Sequence, residues 1–186
     1  MSDPTTTKLV ILDRDGVINC DSKDFIKTAE EWIPLPGSID AIADLSRAGY
    51  AIAVASNQSG LARGLFKQSA LDEMHEKLRN LVAKAGGRID HIAICPHVPN
   101  DQCDCRKPEP GLYRQIAEYF AVDLAGVPAI GDSLRDLEAA ASAGATPVLV
   151  RTGNGQKTET QLGAALESAA RFDDLAAAAR SILQET

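Results

Sequence analysis

Two sets of side chains in this 186-residue chain have the types and spacing for chemistry. The first is acidic. Asp13 and Asp15 stand in Asp13-Arg14-Asp15-Gly16, and Asp132 stands in Gly131-Asp132-Ser133, with Asp136 one helical turn further on. Carboxylates crowded together must share protons or bind a cation. All-oxygen ligation favours a hard ion, so Mg²⁺ is the expected companion of Asp13, Asp15 and Asp132. A hydroxyl at Ser56 and an ammonium at Lys107 complete the outline of a phosphate site, and Arg106 adds a guanidinium fork for phosphate oxygens. The second set is soft. Cys95-x-His97-x5-Cys103-x-Cys105 offers three thiols and one imidazole within eleven residues. Four such ligands suit tetrahedral Zn²⁺, and protein fills every position, so the zinc is expected to be structural. It would order a loop that has no apolar core and so place Arg106 and Lys107. Cys20 stands apart and reads as a small apolar side chain.

These groups act together only if the chain gathers them. Apolar runs at 8–12, 50–55, 89–94, 127–130 and 146–150 read as strands. Helical spacing marks 38–48, 69–85, 111–120 and 133–143. Residues 151–160 read as a polar loop, and the Ala-rich tail should hold one more helix and a short strand near Phe172. Alternation of apolar strands with helices predicts a doubly wound, Rossmann-like α/β fold, a parallel sheet with helices on both faces. Ligands of such sheets bind beyond the carboxyl ends of the strands. Asp13, Ser56 and Cys95 each follow directly on one of these apolar runs, and Asp132 follows 127–130 after a single glycine. The stretches 16–36, 56–67 and 95–110 lack periodicity, and loops that long are usually functional or braced.

Length predicts one domain over 1–186, with the zinc loop at 95–110 inserted in it. The net charge of −7 argues against nucleic acid or an anionic membrane as partner. No run of 18 apolar residues exists, and Met1 to Thr7 is polar without a secretory segment, so a cytoplasmic monomer is expected. His75 and His91 read as surface or packing residues, and Trp32 is left between covering the site and packing.

Asp13-x-Asp15-Gly16, Ser56 after a strand, Lys107, and Gly131-Asp132-Ser133-x-x-Asp136 resemble the four ordered motifs of the haloacid dehalogenase (HAD) superfamily. The runs ILDRDGVIN, SNQSGLARG and CPH…CDCRKPEPG resemble its histidinol-phosphatase / heptose-bisphosphate phosphatase group. The resemblance implies a Mg²⁺-dependent phosphatase working through an aspartyl-phosphate. In it Asp13 is the nucleophile and Asp15 the acid and base. Ser56 and Lys107 steady the transferring phosphoryl group, and Asp136 supports from behind. Mg²⁺ would sit on Asp13, the Asp15 backbone carbonyl and Asp132. Substrate contacts are expected from Arg106, Lys107, Ser56, Asn57, Gln58 and Ser59, with Asp21 and Asp24 at the entrance. For Asn57, Gln58 and Ser59 a self-satisfied turn is the alternative. The short spans between motifs imply a capless enzyme. A heptose bisphosphate, from precursor synthesis for lipopolysaccharide or S-layer glycans, is the leading substrate. Histidinol phosphate is the alternative, and a zinc-stabilised phosphate-binding module without turnover is the alternative of another class. Ser133 departs from the pattern, because some heptose enzymes carry there a Lys that reaches substrate.

Overall fold

In the computed structural model, which describes residues 7–185, β1 (Leu9–Leu12) is buried along its whole length. Its side chains alternate between two apolar layers. Val10 and Leu12 join one with Ile52, Val54, Ile42, Leu71 and Met74, and Leu9 and Ile11 join the other with Ala53, Ala55, Leu112 and Ile116. A strand covered on both sides must be apolar throughout, which is why it reads as a continuous run. The elements that follow are α1 (Ser38–Arg47), β2 (Ala51–Asn57), α2 (Gln68–Lys84), β3 (His91–Cys95) and α3 (Gly111–Phe120). Then come β4 (Pro128–Gly131), α4 (Leu134–Ser142), β5 (Thr146–Val150), α5 (Gly155–Glu159), β6 (Ala170–Phe172) and α6 (Leu175–Gln184). The polar stretch Met1–Thr7 lies outside the described residues except for Thr7.

The sheet has the order β3-β2-β1-β4-β5-β6, and every neighbouring pair is parallel. The chain winds outward from β1 in one direction and from β4 in the other. The gap beyond their carboxyl ends is the topological switch point, where open α/β sheets bind ligands. Asp13 and Asp132 directly follow these two strands, and the Asp13 N–H donates to Ile130 O at 2.9 Å. Among the described residues no helix is long and apolar enough to cross a membrane.

Residues 155–159 form the short helix α5 inside the segment read as a polar loop. Tertiary contacts override the weak local pattern: Arg151 pairs with Glu159 at 2.8 Å, and buried Thr158 donates to Asp132 O at 2.8 Å. Cys20 is exposed, not a packed apolar side chain. Trp32 packs; it is fully buried, and the Lys77 ammonium donates to the carbonyls of Ala29 and Trp32 at 2.5 and 2.7 Å.

Candidate active site

Asp13, Asp132 and Asp136 bring ligand oxygens within 4.8 Å of one another, and all three side chains are buried. Lys107 is the cation among them. Its ammonium donates to Asp13 Oδ1 and to Ala55 O at 2.7 Å each, and it lies 2.7 Å from Asp136 Oδ1. That last contact is a buried ion pair. Asn57 holds the lysine in place through its backbone: Asn57 Nδ2 donates to Lys107 O, and Lys107 N donates to Asn57 Oδ1, both at 3.1 Å.

Lys107 touches Asp13 and Asp136 but not Asp132, so one ammonium faces three buried carboxylates and the charges do not balance. Burial, then the charges of Asp136, Asp132 and Asp15, push Asp13 up to about 8 although Lys107 opposes them. Burial and Asp136 push Asp132 up to about 7. Burial also opposes charge on Asp136, but Lys107 outweighs it and holds that carboxyl low. A cluster that cannot ionise fully alone, built only of oxygen donors, fits a hard divalent cation. Asp136 is committed elsewhere. Its Oδ2 accepts from Ser133 N at 3.0 Å and from Ser133 Oγ, and the two residues form the capping box of α4. Ser133, the departure from the family pattern, therefore serves the helix start.

Asp13 and Asp132 bind protons more tightly folded than unfolded, so without metal that pair destabilises the fold as pH rises from about 4 to about 8, outweighing buried His75, whose pKa is held down at about 4 and which acts the other way. Thermal melting without Mg²⁺ should show a falling Tm over that window, and added Mg²⁺ should recover most at its upper end. A Mg²⁺ effect independent of pH would contradict the cluster described.

The Asp15 carboxylate lies outside this cluster. The side chain is clamped. Arg14 donates to Asp15 Oδ1 from Nε at 3.1 Å and from Nη2 at 2.9 Å, and to Oδ2 at 3.0 Å. Asn19 Nδ2 and Gln58 Nε2 add bonds of 2.8 and 2.9 Å. Burial opposes its charge, but Arg14 and these amides win and hold Asp15 below the usual carboxyl value. Gln58 Nε2 also donates to Ser56 Oγ at 2.8 Å, so the buried serine is tied to the same network.

Above these groups lies a cleft of about 260 Å³. Ser56, Asn57, Gln58, Ser59, Arg106, Lys107 and Asp21 all line it; Asp24 does not and is exposed. Sequence reasoning assigned no role to Arg14, Arg63 or Arg135, which line it too. The first two lie inside the quoted runs, which was their only signal. Arg106 Nη1 donates to His97 O at 3.0 Å, so the cysteine loop holds it. Phe25 has φ of 62°, a left-handed conformation costly for an aromatic residue, and its ring lies 5.9 Å beneath the Arg63 guanidinium.

The cysteine loop forms a closed tetrad. Sγ of Cys95 lies 3.6 Å from His97 Nδ1, 3.6 Å from Cys103 Sγ and 3.1 Å from Cys105 Sγ. Cys105 Sγ lies 3.4 Å from His97 Nδ1 and 3.5 Å from Cys103 Sγ. A tetrahedron with Zn–S of about 2.3 Å and Zn–N of about 2.0 Å has edges of roughly 3.5–3.8 Å. The observed separations are close to that, so the four atoms fit Zn²⁺. Without it, burial pushes the Cys95 and Cys105 thiols up.

The sheet, the acidic pair at its switch point, the serine after β2 and the lysine reaching between the carboxylates define a HAD-like hydrolase. The HAD-hydrolase-like family model matches residues 104–178, and that of Polynucleotide kinase 3 phosphatase matches 8–132. The D-glycero-beta-D-manno-heptose-1,7-bisphosphate 7-phosphatase of Pseudomonas putida is 56% identical over 95% of this chain and 99% of its own. That of Bordetella bronchiseptica is 57% identical over 96% of this chain and 99% of its own. The chain belongs to the D-glycero-beta-D-manno-heptose-1,7-bisphosphate 7-phosphatase family. A crystal structure of the D,D-heptose 1,7-bisphosphate phosphatase from B. bronchiseptica, complexed with magnesium and phosphate, superposes with a TM-score of 0.94 at 56% identity. The match covers 97% of this chain and 100% of that one.

Proposed function

We propose that this protein removes the 7-phosphate of D-glycero-β-D-manno-heptose 1,7-bisphosphate through an aspartyl-phosphate on Asp13. The carrying observation is the buried cluster of Asp13, Asp132 and Lys107 at the switch point, in a chain whose relatives bear that enzyme's name. Asp13, Asp132 and the Asp15 carbonyl would hold Mg²⁺, which neutralises charge between the carboxylate and the incoming phosphate when bound.

An Asp13 carboxylate oxygen attacks phosphorus, and the bond from phosphorus to the sugar C7 oxygen breaks. Asp15 gives that oxygen a proton, then takes one from the water that attacks the phospho-aspartate and releases phosphate. The Arg14 clamp suits the second role, since it holds Asp15 as an anion. A phosphate dianion arriving nearby pushes the other way and loads the proton for the first. Lys107 and Ser56 stabilise the transferring oxygens. Arg63, Arg106 and Arg135, all on one cleft, support a second anionic group on the substrate.

In this reading residues 1–186 are one capless domain. Between β1 and α1 the described structure holds loops and isolated bridges, and the span from β2 to β3 holds a loop and α2. Specificity then rests on the loops at 16–36, 56–67 and 95–110. The protein is then a cytoplasmic monomer acting on a small molecule, and its net charge of −7 argues against nucleic acid or an anionic membrane as partner. Phosphate release from this sugar, with and without Mg²⁺, tests the proposal; no Mg²⁺-dependent release would overturn it.

A further inference from the structure

The turn after β5 carries a device that its polar sequence does not advertise. Asn154 donates twice to one oxygen of Asp132: its backbone N–H reaches Oδ2 at 2.7 Å and its side-chain Nδ2 reaches the same Oδ2 at 3.1 Å. The same amide nitrogen also donates to Asp21 Oδ2 at 3.2 Å, across 133 residues of sequence. The turn is pressed onto the site on all sides. Thr152 Oγ1 donates to Gly16 O at 2.6 Å, and Thr158 Oγ1 donates to Asp132 O at 2.8 Å. A Cβ at either Gly16 or Gly153, both at positive φ, would fall 2.2 Å from Asp132 Oδ2. The backbones of two separate loops thus close around one carboxylate oxygen, and only glycine permits it.

We propose that Asn154 is a positioning residue for the cation site: it fixes Asp132 by Oδ2, leaves Oδ1 to the metal, and ties the Asp21 loop to that carboxylate. The inference rests on the reading of Asp13 and Asp132 as cation ligands. Its physical basis is that a ligating carboxylate left to rotate must be ordered on binding, whereas one held by donors is already aimed. The amide is suited to bridge Asp132 and Asp21, because its two N–H groups can serve two carboxylates that would otherwise repel. Loss of such an outer contact typically weakens metal binding by about 10–100-fold.

The test compares wild type with Asn154→Ala, at an exposed position where truncation leaves the core untouched. Zinc-loaded protein freed of Mg²⁺ is titrated with Mn²⁺, and free Mn²⁺ is read by EPR. Mn²⁺ binding should weaken by about 10-fold in the variant. The Mg²⁺ needed for half-maximal phosphate release should rise by a similar factor, kcat should recover at saturating Mg²⁺, and the Tm of Mg²⁺-free protein should fall only slightly, because Ala keeps the backbone donor to Asp132 and loses only the amide between the two carboxylates. Equal Mn²⁺ affinity, or a kcat deficit that saturating Mg²⁺ leaves in place, would overturn the role of Asn154. If wild type itself binds no Mn²⁺, the cation assignment falls and this inference falls with it.

Discussion

Asp13→Asn should lower kcat by on the order of 10⁵-fold or more, the scale seen when a covalent nucleophile is removed. The amide keeps the shape of the side chain and can still accept from the Lys107 ammonium through its carbonyl oxygen. It cannot attack phosphorus. Stability should move the other way. Burial and three neighbouring carboxylates already disfavour the charge on Asp13, so a neutral residue relieves repulsion and should hold or raise Tm near pH 8. Asp15→Asn separates the two acidic roles. It should also lose most turnover, but it leaves the Asp13 nucleophile intact and removes the anion that Arg14 holds with three hydrogen bonds. Rapid-quench assay of phosphate release and a thermal melt on each variant check both halves. Turnover by Asp13→Asn within tenfold of wild type would mean that the nucleophile lies elsewhere.

The second large effect concerns the cysteine loop. Cys105 touches Cys95, Cys103 and His97 within the tetrad, so Cys105→Ser should empty the zinc site. Structural zinc is worth roughly 10 kcal/mol in small domains that depend on it. Residues 95–110 have only a one-turn 3₁₀ segment, 99–101, as regular structure beyond the end of β3, so much of that order should go with the metal. Even 3 kcal/mol of lost stability would lower Tm by roughly 6–12 °C in a chain of this length. Activity should fall in parallel. Arg106 is bonded to His97 O within the loop, and Lys107 follows it directly. Metal analysis should find about one zinc per wild-type chain and little in the variant. A zinc-free variant with unchanged Tm and full kcat would show that the tetrad places nothing.

What could be read from the sequence divides along physical lines. The strands were legible because a strand covered on both faces has to be apolar, so β1, β2 and β5 stand out and the acids after β1 and β4 fall at the switch point. The Cys/His tetrad was legible because its four members are local, and their chemistry is unusual enough to need no neighbours. Asp136 was only half legible. Its spacing placed it a turn behind Asp132, but its pairing with Lys107 depends on how far the lysine reaches into the sheet. The clamp on Asp15 needed Gln58, 43 residues away, and the turn at 152–154 sits more than 100 residues from the glycine it braces. Thr, Gly and Asn in a polar stretch carry no signal of such contacts, since those residues fill ordinary turns everywhere. Cys20 failed for the opposite reason: a small sulfur side chain is usually buried, and this one stands in the solvent. Asp24, placed at the entrance by resemblance alone, points outside the cleft that its neighbours line.

The central claim, a phosphatase specific for the 7-position of a heptose bisphosphate, is most directly tested by kcat/KM on D-glycero-β-D-manno-heptose 1,7-bisphosphate and on histidinol phosphate. Both are measured with Mg²⁺, and the sugar product is identified by ³¹P NMR. The higher value is expected on the heptose, with no release without Mg²⁺ and a product that keeps its phosphate on C1. A higher kcat/KM on histidinol phosphate, or loss of the C1 phosphate instead, would contradict the claim.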